Sequence, residues 1–399
     1  MTGKQAFPSS ITGDGSEPAS VLDHTFGAGD PYTLGVEEEY QLLDPETFDL
    51  VQHIETMLDA VTGHELEARI NAELMQSVLE ITTPVCRTAS DVERELVTLR
   101  SYVTGIAREQ GLRVGSAGTH PFSLFERQRI TAKDRYRALI DQMQYVARRE
   151  LIFGMHVHVA VDDPEKAIQV VNGLLPHLAP LLAMSASSPF WRGEPTGLAS
   201  SRQMVFSAFP RSGPPPRFRD YADYASVVGQ LERSGCIADY THIWWDIRLH
   251  PRLGTIEIRI CDAVTRVEDA VAIAAYCQAL VKQLCERHDA GEEIPSYHRI
   301  LTSENKWLAA RYGLEAPVMD LAKASRNRVP VARLIRRTIG ELRPHARELG
   351  SERELEGILE LLARGSSSDR QLRIYNANRD IAEVAREIAD ATEALPVLA

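Results

Sequence analysis

Between residues 33 and 43 apolar and polar positions alternate, the period of a strand with one buried face. Residues 74–83 are apolar and rich in β-prone side chains, and residues 152–161 and 244–260 repeat the strand pattern. From Ser90 the period changes to a helical one. Val92, Leu96, Leu99, Val103 and Ile106 form a stripe, Ser90 and Glu93 are spaced as a capping box, and Gly111 stops the run. Residues 131–150 follow the same helical pattern, and Asp163-Pro164 marks the first turn of a further helix. Residues 185–220 are Pro-rich with scattered aromatics, which predicts a long but ordered loop. Helices fall in unequal numbers between the strands, which excludes a regular βα alternation. The expectation is an α+β fold: a mainly antiparallel sheet backed by helices, with a largely helical C-terminal portion over residues 266–399. Residues 1–31 are too polar to offset their ordering entropy and predict a flexible tail, leaving 32–399 as a single domain.

Four of the strand segments share one further feature. Side chains two apart in a strand point the same way. Glu37 and Glu39 therefore share a face with Gln41, while Val36, Tyr40 and Leu42 take the other. Glu38 falls on the apolar face and is given no chemistry. His156 and His158 face together opposite Val157, Val159 and Val161; Glu257 and Arg259 do so opposite three isoleucines. Glu80 stands alone among Val78, Leu79 and Ile81. Taken singly, E-x-E is most often a solvated sheet face, H-x-H a surface or core pair, and E-x-R a salt bridge of small value. Four such strands in one sheet would bring several carboxylates and an imidazole onto one surface. Like charges so close repel and raise one another's pKa, unless a divalent cation sits among them. Hard oxygen ligands with an imidazole suit Mg²⁺ or Mn²⁺ better than zinc.

Charge and composition narrow the setting. The 399 residues carry 44 Lys+Arg against 56 Asp+Glu, a formal charge of −12, which disfavours a nucleic-acid backbone as partner. The five cysteines form no C-x-x-C pair and read as reduced thiols. The N-terminal segment lacks the apolar run of a signal peptide. No uncharged apolar run of about 18 residues stands out, since Ala270 to Val281 ends at Lys282, so no membrane span is expected and a cytoplasmic location is. A P-loop, a G-x-G-x-x-G after a strand, H-E-x-x-H and G-x-S-x-G are all missing. Any ATP chemistry would therefore rely on metal ions and arginines.

The segments GVEEEYQLLDPET, QSVLEITTPVC, GTHPF, GMHVHVAVDD, SASSPFWRG, TGLASSR, WWDIR and GTIEIRICD, in this order, resemble the carboxylate–amine ligase family related to glutamate–cysteine ligase, its type 2. The resemblance covers about Thr33 to Asp262 and implies the glutamine synthetase-like superfamily, in which an antiparallel sheet forms an active-site funnel. It implies that Glu37, Glu39, Glu80, His156 and Glu257 bind metal ions, that His158 contacts substrate, and that Arg259 lies at the transferred phosphate of the nucleotide. Glu73, seven residues before Glu80, matches another metal carboxylate, yet strand parity puts it on the opposite face unless the chain bends. Arg202 could hold a substrate carboxylate or serve the local structure. Trp244, Trp245 and Arg248 are candidates for the pocket wall, with one of the adjacent tryptophans expected in the core. The implied reaction joins the glutamate γ-carboxylate to the cysteine amine through an acyl phosphate, with ATP as substrate and Mg²⁺ (or Mn²⁺) as cofactor. The implied partners are small amino acids and amines, and a homo-oligomer is compatible with these features. A phosphotransferase of guanidino-kinase type and a non-catalytic nucleotide or metal sensor are the alternatives.

Overall fold

The computed structural model describes residues 23–295, 297–323 and 327–396. The tail expected over residues 1–31 lies outside the described residues as far as residue 22. Alternation along residues 34–43 becomes strand β1 (Leu34–Leu43), the centre of a seven-stranded sheet. Its companions are β2 (Ile70–Ala72), β3 (Val78–Thr82), β4 (Arg113–Gly115), β5 (Met155–Ala160), β6 (Ile247–His250) and β7 (Thr255–Ile258). The order is β6-β7-β5-β1-β3-β2, every pair antiparallel, with β4 taking up the end of β1 that β5 leaves free. The fold is therefore α+β with a mainly antiparallel sheet, as the sequence pattern predicts. The segment of strand character over 244–260 holds two of these strands, folded into a hairpin. A turn at Pro251–Leu253 and Gly254, at φ 63°, reverse the chain; a side chain on Gly254 would meet the Thr25 carbonyl oxygen at 2.7 Å.

The valines, leucines and isoleucines of these strands bury one face of the sheet against helices α1 (Ala89–Glu109) and α2 (Val267–Asp289). The capping box of α1 sits two residues earlier than its sequence spacing predicts. Thr88, in extended backbone, accepts from the Asp91 amide while Asp91 accepts from Thr88, and Ser90 is already helical. Glu93 instead pairs with Arg353 from the C-terminal helices. The expected cap at Asp163-Pro164 is present, with the Asp163 carboxylate accepting from the Lys166 amide. The helical run over 131–150 is broken at Gln144, whose φ is 50°.

The helical stretch Pro164–Ser185 is long and apolar enough to cross a membrane by length and composition, and it is mostly buried inside the fold. That corrects the expectation that no such stretch exists: Ala167 to Ser185 carries no Asp, Glu, Lys or Arg, and its Gln, Asn and His mask the run. Its burial is that of a core helix. The C-terminal helices fasten to the back of the sheet; Glu393 accepts from Arg113 of β4 at 2.7 Å and Thr392 from the Ser116 amide at 2.9 Å.

Candidate active site

The strand register brings the sequence-predicted residues together across neighbouring strands. Glu37 stands opposite His156, Glu39 opposite Glu80, and Glu257 opposite both His158 and Arg248. Glu37 Oε2 lies 2.9 Å from His156 Nδ1, and its other oxygen lies 3.3 Å from His158 Nε2. His158 Nε2 makes no hydrogen bond, while its Nδ1 sits 3.0 Å from the Thr255 hydroxyl. Glu257 accepts from the guanidinium groups of Arg248 and Arg259 and is fully buried. Arg259 keeps its Nε buried without a partner.

The electrostatics divide the acids into two groups. Burial pushes Glu257 up, but Arg248 and Arg259, with His158 and His156, outweigh it and hold the carboxyl well below the usual range. Burial likewise opposes ionisation of Glu37, and the two histidines outweigh it. His156 is driven down to about 4 by burial and by Arg259, whereas Glu37 and Glu257 raise His158 against its burial. On the other side of β1 nothing cationic compensates fully. Glu39 rises to about 7 through burial and the charge of Glu73, and Glu80 rises well above its ordinary value through burial and Glu73, Glu37 and Glu39. Ligand atoms of Glu37, His158 and Glu257 lie within 4.8 Å of one another, a donor set of carboxylates and imidazole that fits a hard divalent cation. The crowded Glu39, Glu73 and Glu80 fit one for the complementary reason: a cation would remove their mutual repulsion.

Glu73 joins this surface although strand parity alone would turn it away. Strand β2 ends at Ala72, so the alternation that governs residues 70–72 no longer applies one residue on. Arg202 arrives from the long loop at 185–220, on a short helix, Arg202–Phe206, that the strand pattern could not reveal. It is buried, with Nη1 3.4 Å from the Ile260 carbonyl and 3.9 Å from Asp262, and with Nε unpartnered. Gly154 makes room for it: a Cβ there would lie 2.4 Å from Arg202 Nη2. Trp245 belongs to the core, and Trp244 lines the cavity beside Phe209, whose ring it meets edge-on at 5.0 Å. Sequence reasoning missed Arg135, Glu150 and His250, which line the same cavity from a helix, a loop and the end of β6. None of them lies in a strand E-x-E or H-x-H pattern, the one signal that marked the others.

Glu37, Glu39, Glu73, Glu80, His156, Arg202 and Arg259 line a cavity of about 340 Å³ above the sheet, while Glu257 is buried just behind its wall. A second cavity, of about 530 Å³, opens where β1, β5 and β7 start or end, between Gly35, Thr83, Pro84, His158 and Gly254. Glu37 lines both, and Val85 and Leu253, both largely exposed, form apolar lips on the second. Among the described residues, none beyond Arg259 lines either cavity, so the C-terminal helices cover the sheet and leave the site open. No cysteine lines either one.

Comparison with known proteins identifies the family and the fold. The profile of the family described as glutamate-cysteine ligase family 2 matches residues 33–390. A protein of Rubrobacter xylanophilus named "Putative glutamate--cysteine ligase 2-1" is 45% identical over 92% of this chain and 96% of its own. One of Sorangium cellulosum named "Putative glutamate--cysteine ligase 2" is 41% identical over 90% of this chain and 96% of its own. Among solved structures, a glutamate–cysteine ligase of Francisella tularensis in complex with AMP shares the fold, with a TM-score of 0.65, 13% identity, and 92% and 90% of the two chains covered. A bifunctional glutathione synthetase from Pasteurella multocida also gives a TM-score of 0.65 at 15% identity; the match covers 91% of this chain and 52% of that longer one.

Proposed function

The chain belongs to glutamate-cysteine ligase family 2, and from that premise we propose that it is an ATP- and Mg²⁺-dependent carboxylate–amine ligase whose nominal reaction joins the γ-carboxylate of glutamate to the amine of cysteine. The observation that carries this reading is the pair of cavities meeting at Glu37, one for the nucleotide and one for the acid and amine. The nucleotide is assigned to the second cavity, where apolar Val85 and Leu253 would flank a base and the phosphates would reach inward to Glu37 and Glu257.

Joining a carboxylate to an amine is uphill in water, so the carboxylate must first become an acyl donor. Its oxygen attacks the γ-phosphorus of ATP and ADP leaves; the amine then attacks the acyl carbon, and inorganic phosphate leaves with the C–N bond formed. Glu37, Glu39, Glu80, His156 and Glu257 are the residues that would hold Mg²⁺ or Mn²⁺, whose chemistry here is charge neutralisation across the phosphates. His158, whose Nε2 lies 3.3 Å from Glu37, is equally placed to serve that set or to contact substrate. Arg259 is fixed by Glu257 through one nitrogen, which leaves its buried Nε to donate to a phosphoryl oxygen. Arg202 offers its unpartnered donor to a substrate carboxylate.

Purified protein with Mg-ATP, glutamate and a panel of amines should release phosphate in step with a γ-glutamyl amide identified by mass, and EDTA should stop both. A stable phosphorylated product without an amide would sink the ligase reading in favour of a phosphotransferase. Gly154→Ala tests the place of Arg202. Because the added methyl must displace the guanidinium and also crowds His156 Nε2 at 3.2 Å, kcat/KM for the acid should fall on the order of 10²-fold, with the KM for ATP changing by much less. An unchanged kcat/KM would remove Arg202 from the acid site.

A further inference from the structure

Glu150 is absent from the strand patterns and has no part in the metal-binding set, yet it lines the first cavity beside Arg202. Its Oε1 is buried and has no hydrogen-bond partner. Arg202 and Arg149 are near enough to favour its charge, but no ion pair joins it to either. Burial dominates and raises its carboxyl to about 8. A buried carboxylate oxygen left open costs stability, as does a buried guanidinium N–H left open, and Arg202 Nε is such a group. An acceptor oxygen and a guanidinium N–H left open on one cavity wall call for a ligand that carries both complements.

We infer that Glu150 is a specificity-determining residue that accepts the α-ammonium of the acid whose α-carboxylate Arg202 holds, so that the cavity selects an α-amino dicarboxylic acid over a plain one. This rests on the proposed ligase reading for the identity of the acid. The placement suits it. Gly154 donates its amide to Glu39 and abuts the Arg202 guanidinium, so the head-group clamp and the acidic cluster are one residue's breadth apart. A side-chain carboxylate extending from the clamped head would reach the Glu39 side, where it is to be activated. The Arg202 guanidinium carbon lies 5.8 Å over the centre of the Phe206 ring, a cation–π contact that helps hold it in place. Succinate- or glutarate-like acids would satisfy Arg202 and leave Glu150 open.

The test is equilibrium binding of L-glutamate and glutarate to the full chain by calorimetry, with Mg²⁺ and a non-hydrolysable ATP analogue present. Wild type should prefer glutamate by about 30-fold, the worth of one charge-assisted hydrogen bond. Glu150→Gln should lose about that factor for glutamate and change glutarate by less than about threefold. Should the glutamine variant fail to fold, Glu150→Asp carries the test, with a smaller preference expected because its carboxylate is drawn back. The same preference in wild type and variant, equal binding of both acids by wild type, or binding of neither would each overturn the inference. Failure of the ligase reading looks different: no phosphate release with any amine, while the glutamate preference and its dependence on Glu150 persist.

Discussion

Glu257→Gln is expected to lower ligase turnover on the order of 10³-fold while the far-UV circular dichroism spectrum stays unchanged. The amide keeps the shape of the carboxylate and one acceptor oxygen. It loses the charge that faces His158 across the β5–β7 pair and that two guanidinium groups share. Its NH₂ cannot accept from Arg248 and Arg259 together, so Arg259 loses the contact that aims its free Nε. The cationic arginines are then left without their buried counter-charge. A divalent cation would meet a weaker donor set at Glu37, His158 and the new amide. Excess Mg²⁺ or Mn²⁺ should recover little of the activity, since the defect lies in the position of Arg259 as well as in affinity. Phosphate release and amide formation, followed across a metal titration, measure this directly. Turnover near the wild-type rate would exclude Glu257 from the machinery and with it the assignment of the strand acids.

The parity of side chains in strands made most of this site legible. Glu37, Glu39, Glu80, His156, His158, Glu257 and Arg259 all occur in strands or one residue past one, where a period of two reveals which face a residue takes. The pairing that sets Glu39 beside Glu80 and Glu37 beside His156 is a long-range matter of register, which neither parity nor the family resemblance specifies. Residues delivered by irregular chain were harder. Glu73 follows the last residue of its strand, Glu150 follows a helical turn, and Arg202 comes from a loop whose backbone path no local pattern encodes. The N-terminus of α1 was misplaced because Thr88-x-x-Asp91 and Ser90-x-x-Glu93 are both capping boxes by composition. The backbone entering the helix at Thr88 decides between them. For the helix Pro164–Ser185, composition alone cannot distinguish a buried core helix from a membrane span; the packing around it does.

Glu38→Gln is expected to destabilise the fold by about 3 to 5 kcal/mol and to leave turnover per folded molecule within about threefold of wild type. Parity puts Glu38 on the apolar face of β1, and there it is wholly buried. It meets Arg100 of α1 through two hydrogen bonds, Nη2 to Oε1 at 2.6 Å and Nε to Oε2 at 3.0 Å, and accepts from the Tyr40 hydroxyl as well. Arg100 spends its remaining donors on the carbonyls of Thr265, at 2.9 Å, and Val264, at 3.3 Å, just before α2. One buried pair thus pins the central strand to both helices behind it. Glutamine removes the negative charge and leaves a guanidinium in the core, which is costlier than never having placed a charge there. Because the pair lies on the opposite face from Glu37 and Glu39, its loss should reach the cavity only through the backbone. Thermal and urea unfolding measure the first effect, and turnover at a temperature where the variant is folded measures the second. The double variant Glu38→Leu with Arg100→Met should recover much of the loss, since an apolar pair leaves no charge unmatched. If the single variant instead melts like wild type but turns over poorly, the pair governs the chemistry of the strand and not its anchorage.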